Sequence, residues 1–302
     1  MQGFELTKQH GQHLLVNPLV VRSIVEKAEL RPTDTVLEIG PGTGNLTMAL
    51  LEKVRKVVAI EIDARMVSEL KKRVSANPEL RERLQVIRDD FTKMPLESIP
   101  PFDVCVSNCP YNISSAIVFR LLQIRPAPRR LVLMFQLEFA QGLSAEPGQE
   151  QYGRLTVNAK LLAKTKIIIR VSRNSFRPPP KVDSAVIEMT PTGIPEGLDL
   201  DEFNGLTKVL FMNKNRTLGA IFKTKSLLNN LVRNVARLAE VSSLHKAPGE
   251  PVIPPPIEEV RAKILEALVE ADFTDRRPAK MPVSDILDLL VRLAGIGVRF
   301  AD

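Results

Sequence analysis

The sequence predicts an α/β fold, a doubly wound parallel sheet with an antiparallel edge, followed by a smaller helical domain. Three observations carry this expectation. Short β-branched runs alternate with amphipathic helical patterns from Thr35 to Leu162, as in successive βαβ units. The last two strands, Ile167–Val171 and Ala185–Met189, have no helix between them; Ser175-Phe176-Arg177-Pro178-Pro179-Pro180 joins them and is too stiff for one. That connection suggests an antiparallel addition at the sheet edge. After Thr190 the periodic segments are all helical.

In order along the chain, Asn17 suits an N-cap and Pro18 the first helical position, opening a helix over 17–30. Its apolar face is Val20, Val21, Ile24, Val25 and Ala28. Strands are expected at Thr35–Ile39, Lys56–Ile60, Leu84–Arg88, Asp103–Ser107 and Leu131–Phe135. Helices are expected at Leu46–Lys53, Arg65–Ser75, Ser115–Ile124 and Leu155–Leu162. The helices beyond Thr190 are Asp201–Phe211, Leu218–Phe222, Leu227–Ala239, Ile257–Ala271 and Val283–Ala294, which divides the chain into residues 1–192 and 193–302. Ala247–Pro256 reads as a proline-rich linker or extended crossing segment.

Composition narrows the function. At 302 residues the chain is one large or two ordinary domains, and no apolar run reaches the ~18–20 residues of a bilayer span, so no membrane is expected. The net charge of +7, from 42 Lys+Arg against 35 Asp+Glu, favours an anionic partner. Cys105 and Cys109, with no histidine nearby, exclude a disulfide framework and a structural zinc site, and no metal is expected. Nothing in the first thirty residues has signal- or transit-peptide order, which favours a reducing compartment.

Glu38-Ile39-Gly40-Pro41-Gly42-Thr43-Gly44-Asn45 lies between a strand and a helix, where a nucleotide-binding glycine loop belongs. Its G-x-G-x-G spacing differs from the G-x-G-x-x-G that seats a pyrophosphate, which argues against a dinucleotide and an oxidoreductase. Glu61 ends the second strand, placed for ribose hydroxyls. Asp89 and Asp90 end the third, placed for adenine. Asn108-Cys109-Pro110-Tyr111 follows the fourth strand at the same carboxyl edge. An exocyclic aromatic amine is a poor nucleophile because its lone pair is delocalised into the ring. The Asn108 side-chain carbonyl, with the main-chain carbonyl before or at Pro110, offers two acceptors that would localise it. Tyr111, one of two tyrosines, offers a face for a base turned out of its helix.

The glycine loop with its carboxylates resembles the class I S-adenosylmethionine-dependent methyltransferases, whose sheet is Rossmann-like. With Asn108–Tyr111 added, the whole chain resembles the rRNA adenine N6,N6-dimethyltransferase family, and its eukaryotic small-subunit branch in particular. The supporting motifs are Gly11-Gln12-His13-Leu14-Leu15-Val16-Asn17-Pro18, Phe135-Gln136-Leu137-Glu138-Phe139-Ala140, Phe176-Arg177-Pro178-Pro179-Pro180-Lys181-Val182-Asp183-Ser184, Phe211-Met212-Asn213-Lys214-Asn215-Arg216-Thr217-Leu218 and Phe273-Thr274-Asp275-Arg276-Arg277. The resemblance implies methylation of two adjacent adenosines in the 3′-terminal hairpin loop of small-subunit rRNA by four molecules of S-adenosyl-L-methionine. It places His13 and Leu15 at the methionine end of that cofactor and Gly40 and Gly42 under its methionine and ribose portion. Glu61 would meet the ribose, Asp90 rather than the adjacent Asp89 the adenine, and Asn108 both cofactor and target amine.

Phe176 would hold the base opposite Tyr111, or else plug the proline turn. Cys109 departs from the bulky aliphatic residue usual at its place. Lys214 and Arg216, with Lys208, Lys223, Lys225, Arg233 and Arg237, would contact RNA phosphates. The implied partners are small-subunit rRNA and the pre-ribosomal small-subunit particle, met by a monomer in the nucleus or nucleolus, with cytoplasm or mitochondrion as alternatives. Rival readings are a small-subunit assembly factor with methylation secondary, a mitochondrial transcription factor descended from the family, and a DNA adenine or protein glutamine N-methyltransferase. Cys109 and the helical tail count against the last.

Overall fold

The computed structural model describes residues 13–243 and 255–301, so Gly11, Gln12 and most of the 247–256 linker lie outside the described residues. The described chain forms two compact units, one reaching Ser144 and resuming over Leu162–Gly193, the other made of Ala145–Leu161 and the chain from Ile194.

The first unit begins with β1 (Leu14–Leu15) and α1 (Pro18–Lys27), where Asn17 caps the helix by accepting a hydrogen bond from the Leu19 N–H at 3.0 Å. Then come β2 (Thr35–Ile39), α2 (Asn45–Leu51), β3 (Lys56–Glu61), α3 (Ala64–Ser75), α4 (Pro78–Arg83), β4 (Leu84–Arg88), β5 (Val104–Asn108), α5 (Ser114–Gln123), β6 (Arg130–Gln136) and α6 (Leu137–Ser144). After α7 (Arg154–Leu162) the sheet is completed by β7 (Ala163–Val171), β8 (Phe176–Arg177) and β9 (Ser184–Pro191).

Seven strands form one sheet in the order β4-β3-β2-β5-β6-β9-β7. The first five pair in parallel, and β9 runs antiparallel between β6 and β7. All five residues of β2 are buried, as a parallel strand covered on both faces requires. The strand order reverses between β2 and β5, which opens a crevice at their carboxyl ends, where ligands of doubly wound sheets bind. The glycine loop leaves β2 and Asn108 ends β5, so the topology puts both motifs at this reversal.

Four elements go beyond the sequence expectation. β1 and β8 pair antiparallel, Leu14 with Arg177 and Leu15 with Phe176, and at two residues each they carry no readable period. Helix α4 rests on its Asn77 cap and Pro78 start and buries no side chain, so it has no apolar stripe. Helix α6 follows β6 without an intervening turn. Strand β7 also starts four residues before Ile167, because its edge position exposes Lys164 and Lys166 in place of apolar residues.

The second unit contains α8 (Leu200–Met212), α9 (Leu218–Ile221), α10 (Lys225–Ser243), α11 (Ile257–Glu270) and α12 (Val283–Gly295). Phe203, Leu210, Phe222, Ile264 and Leu293 are among its buried residues. Residues 145–161 pack here, whereas the sequence division placed them in the 1–192 domain. The buried Tyr152 hydroxyl donates to the Met281 carbonyl at 2.6 Å, and the Gly148 N–H donates to the Ala279 carbonyl at 2.7 Å. Contacts this distant in sequence leave no periodic trace.

Within α8, Gly205 faces the backbone of Phe300; a Cβ there would lie 2.7 Å from the Phe300 carbonyl carbon and 2.8 Å from its Cβ. In an open helix Gly→Ala stabilises by about 1 kcal/mol. Here the clash with a fixed backbone decides the sign, and Gly205→Ala is expected to destabilise the protein by about 2 kcal/mol, read from urea unfolding.

Candidate functional site

One cavity lies at the strand-order reversal. His13, Leu15, Gly40, Gly42, Glu61, Asp90, Asn108, Pro110 and Tyr111 all line it, so nine of the residues expected from sequence come together. The glycine loop is held by backbone geometry. Gly40 and Gly42 have φ of +67° and +56°, a region that L side chains avoid. The Gly40 N–H donates to the Ile60 carbonyl at 2.8 Å, tying the loop to β3. The Gly42 N–H donates to Glu61 Oε2 at 3.2 Å and the Asp63 N–H to Oε1 at 3.0 Å, so Glu61 is oriented through both oxygens. Burial raises the Glu61 pKa from the usual carboxylate value, while those backbone donors oppose the shift.

Asp90 is oriented as well. Its Oδ1 accepts from the Thr92 N–H at 2.9 Å and the Thr92 hydroxyl at 2.6 Å, and the hydroxyl bond is the main cause that lowers its pKa. Asp89 also lines the cavity but is exposed, and its Oδ1 accepts from the Asp90 N–H. Ile62 and Phe91 line the cavity too, and each follows one of the carboxylates directly in sequence.

At the end of β5, the Asn108 side-chain Nδ2 donates to the His13 carbonyl at 3.4 Å, and Oδ1 accepts no hydrogen bond among the described residues. The Pro110 carbonyl already accepts from the Ile113 N–H. The Tyr111 hydroxyl pairs with the Ser184 hydroxyl at 2.8 Å, and burial pushes the phenol up, so it stays neutral. The His13 ring stacks on the Tyr111 ring with centroids 5.7 Å apart and planes at 26°, while its Nδ1 donates to the Pro178 carbonyl at 2.8 Å. Sequence inspection gave His13 a cofactor contact only; its ring contact with Tyr111 arises from the β1–β8 pairing.

Phe176 does not face the cavity. Its ring is fully buried in the cluster that includes Leu15 and Val171, which makes it the plug under the proline turn. Lys214 is likewise occupied: its Nζ donates to the Glu150 and Tyr152 carbonyls at 2.7 and 3.0 Å, clasping the second unit. Arg216 is exposed, with one bond to the Ala220 carbonyl.

Glu38, which sequence inspection left without a role, lines the cavity and is buried. Burial raises its carboxyl to about 8, against the Thr47 hydroxyl bond at 2.6 Å and with the Glu61 charge adding to the rise. A raised pKa stabilises the folded state below the unfolded value and withdraws that stability as pH climbs from about 4.5 to about 8. Between pH 5.5 and 8.5 the wild type is therefore expected to lose on the order of 2 kcal/mol more unfolding free energy than Glu38→Gln.

A family model described as "Ribosomal RNA adenine dimethylase" matches residues 3–249. The chain belongs to the ribosomal RNA adenine dimethylase family. The "Probable dimethyladenosine transferase" of Dictyostelium discoideum is 46% identical over 297 residues, which is 98% of this chain and 91% of that one. The "Dimethyladenosine transferase" of Schizosaccharomyces pombe is 44% identical over 298 residues, 99% and 93% of the two chains. Among solved structures, a dimethyladenosine transferase from Plasmodium falciparum superposes with a TM-score of 0.81 at 38% identity, covering 95% of this chain and all of that one. The 23S rRNA methyltransferase ErmE gives 0.63 at 28% identity, covering 93% and 99%.

This dimethylase is thus a class I enzyme that uses S-adenosylmethionine to dimethylate adenine in rRNA. The cavity suits that cofactor, because a Cβ at Gly40 would fill it to within 3.2 Å of Pro110 Cγ and the carboxylates of Glu61 and Asp90 border the same space. Sulfonium and ammonium charges need no phosphate cradle, in keeping with the short glycine spacing.

Proposed function

We propose that this dimethylase converts two adjacent adenosines in the 3′-terminal hairpin loop of small-subunit rRNA to N6,N6-dimethyladenosine, acting as a monomer on the pre-ribosomal small-subunit particle in the nucleolus. The observation that carries the chemistry is the Asn108 amide, whose Nδ2 is taken by the His13 carbonyl so that Oδ1 is the end left to accept from an amine. Support for the target comes from the eukaryotic relatives aligned over nearly the whole chain.

His13 and Leu15 would hold the methionine end of S-adenosylmethionine, Gly40 and Gly42 its middle, Glu61 the ribose and Asp90 the adenine. When bound, S-adenosylmethionine supplies an electrophilic methyl group. Asn108 Oδ1 and the Cys109 carbonyl accept the two N6–H bonds of the target base before the first transfer, and one of them accepts the single N6–H left before the second, turning the nitrogen lone pair out of conjugation. We assign the second acceptor to the Cys109 carbonyl because the Pro110 carbonyl already accepts one hydrogen bond, from the Ile113 N–H. Cys109 itself acts through its backbone; burial pushes its thiol up to about 12, so it is no nucleophile. Tyr111, fixed by Ser184 and His13, gives the base a face, and stacking of this kind is worth about 1–3 kcal/mol. After each transfer the nitrogen carries a proton made acidic by its positive charge, which water accepts. Rate enhancement then comes from positioning and exclusion of bulk water.

The test is transfer of labelled methyl groups to undermethylated small ribosomal subunits, with digestion to nucleosides and mapping of the modified positions. Dimethyladenosine confined to two adjacent residues of the 3′-terminal hairpin is the expected product. Tight particle binding with no dimethyladenosine would replace this reading with the assembly-factor one.

A further inference from the structure

The loop over residues 172–183 joins the carboxyl end of β7 to the start of β9, and register puts it at the active edge: Val171 and Gln136 both stand opposite Ser184, whose hydroxyl holds Tyr111. Its twelve residues carry Arg173, Arg177 and Lys181 against a single acid, Asp183. All three cations are exposed, and none is in an ion pair among the described residues. Asp183 Oδ1 accepts from the Arg173 backbone N–H at 2.9 Å, so the acid secures the chain.

The loop is anchored at several points. The Ser175 carbonyl accepts from the Val16 and Asn17 N–H groups, the Pro178 carbonyl accepts from His13 Nδ1, and the Asp183 carbonyl accepts from the Leu137 N–H. Each guanidinium spends one nitrogen on its own loop, Arg173 Nη1 on the Lys181 carbonyl and Arg177 Nη1 on those of Asn174 and Phe176. The remaining guanidinium donors and the Lys181 ammonium are left for a ligand. Three cations against one acid, a net +2 on a held loop beside the base platform, match a run of phosphodiesters, which place RNA without reading its sequence.

We infer that Arg173, Arg177 and Lys181 form a phosphate grip for the RNA backbone flanking the target adenosine, so that the catalytic unit itself holds its substrate. This rests on the rRNA-methylation reading. It also moves RNA contact away from Lys214, whose ammonium is occupied.

The experiment measures binding of the full-length protein to a fluorescent RNA hairpin with unpaired loop adenosines across a salt series, with affinity for S-adenosylhomocysteine measured by calorimetry in parallel. The Arg173→Gln/Arg177→Gln/Lys181→Gln variant is expected to bind RNA at least about tenfold more weakly and to flatten the log–log salt slope by about 2, at roughly 0.7 per single-strand phosphate contact. Its affinity for S-adenosylhomocysteine should stay at the wild-type value. Unchanged RNA affinity and slope would overturn the grip. If the triple variant loses cofactor affinity too, Lys181→Gln decides, since its Nζ makes no described hydrogen bond: a slope lowered by about 0.7 supports the grip and an unchanged slope overturns it. Wild-type protein that binds this RNA but methylates no rRNA would sink the underlying reading separately.

Discussion

Asn108→Ala is expected to lower the rate of methyl transfer to rRNA by about 10²–10³-fold, the cost of removing one preorganised group that acts on the reacting atom. Affinity for S-adenosylhomocysteine should fall far less, because the glycine loop, Glu61 and Asp90 are tied down without Asn108. The amide orientation adds a sharper test. Asn108→Asp keeps an acceptor toward the amine but sets a carboxylate oxygen against the His13 carbonyl in place of a donor. It should retain binding of the RNA hairpin yet stay well below wild-type turnover. Single-turnover rates with saturating cofactor separate these outcomes, and an alanine variant within a factor of a few of wild type would remove Asn108 from the chemistry.

Gly40→Ala is expected to damage cofactor binding and turnover together. Two costs add. At φ of +67° an L side chain costs about 1–2 kcal/mol, and the new Cβ would lie 3.2 and 3.3 Å from Pro110 Cγ and Cδ. The ring of Pro110 must then shift, and the neighbouring acceptors Asn108 and Cys109 shift with it. Gly42→Ala is the control. It has a similar φ, but its Cβ would meet Leu14 Cδ2 at 3.0 Å, the mobile end of a side chain. Both variants should weaken cofactor binding by about tenfold, while only Gly40→Ala should also lower kcat at saturating cofactor. Equal kcat for the two would break the proposed contact between loop and motif.

The doubly wound sheet was legible because buried parallel strands such as β6, with its run Leu131–Phe135, are continuous apolar segments that alternate with capped amphipathic helices. Gly40, Glu61, Asp90 and Asn108 were legible as neighbours around one cavity because they sit at strand ends, where topology alone brings them together. Phe176 misled for a physical reason: an aromatic beside three prolines reads equally as a platform or a plug, and only the β1–β8 pairing, which buries it, separates the two. Lys214 misled similarly, since a cation on a basic segment does not announce that two distant carbonyls, Glu150 and Tyr152, capture it. Glu38 went unread because its meaning lies in burial.

The bond between His13 and Pro178 spans 165 residues of sequence. During synthesis the amino-terminal wall of the cavity leaves the ribosome first and waits for its partner. At about 5–20 residues per second that delay is roughly 8–33 seconds. Before it ends the glycine loop and the first four strands have been made, but His13 still has nothing to close against. A nascent chain of this enzyme therefore cannot make the His13–Pro178 closure of the cavity until more than half of it has been made.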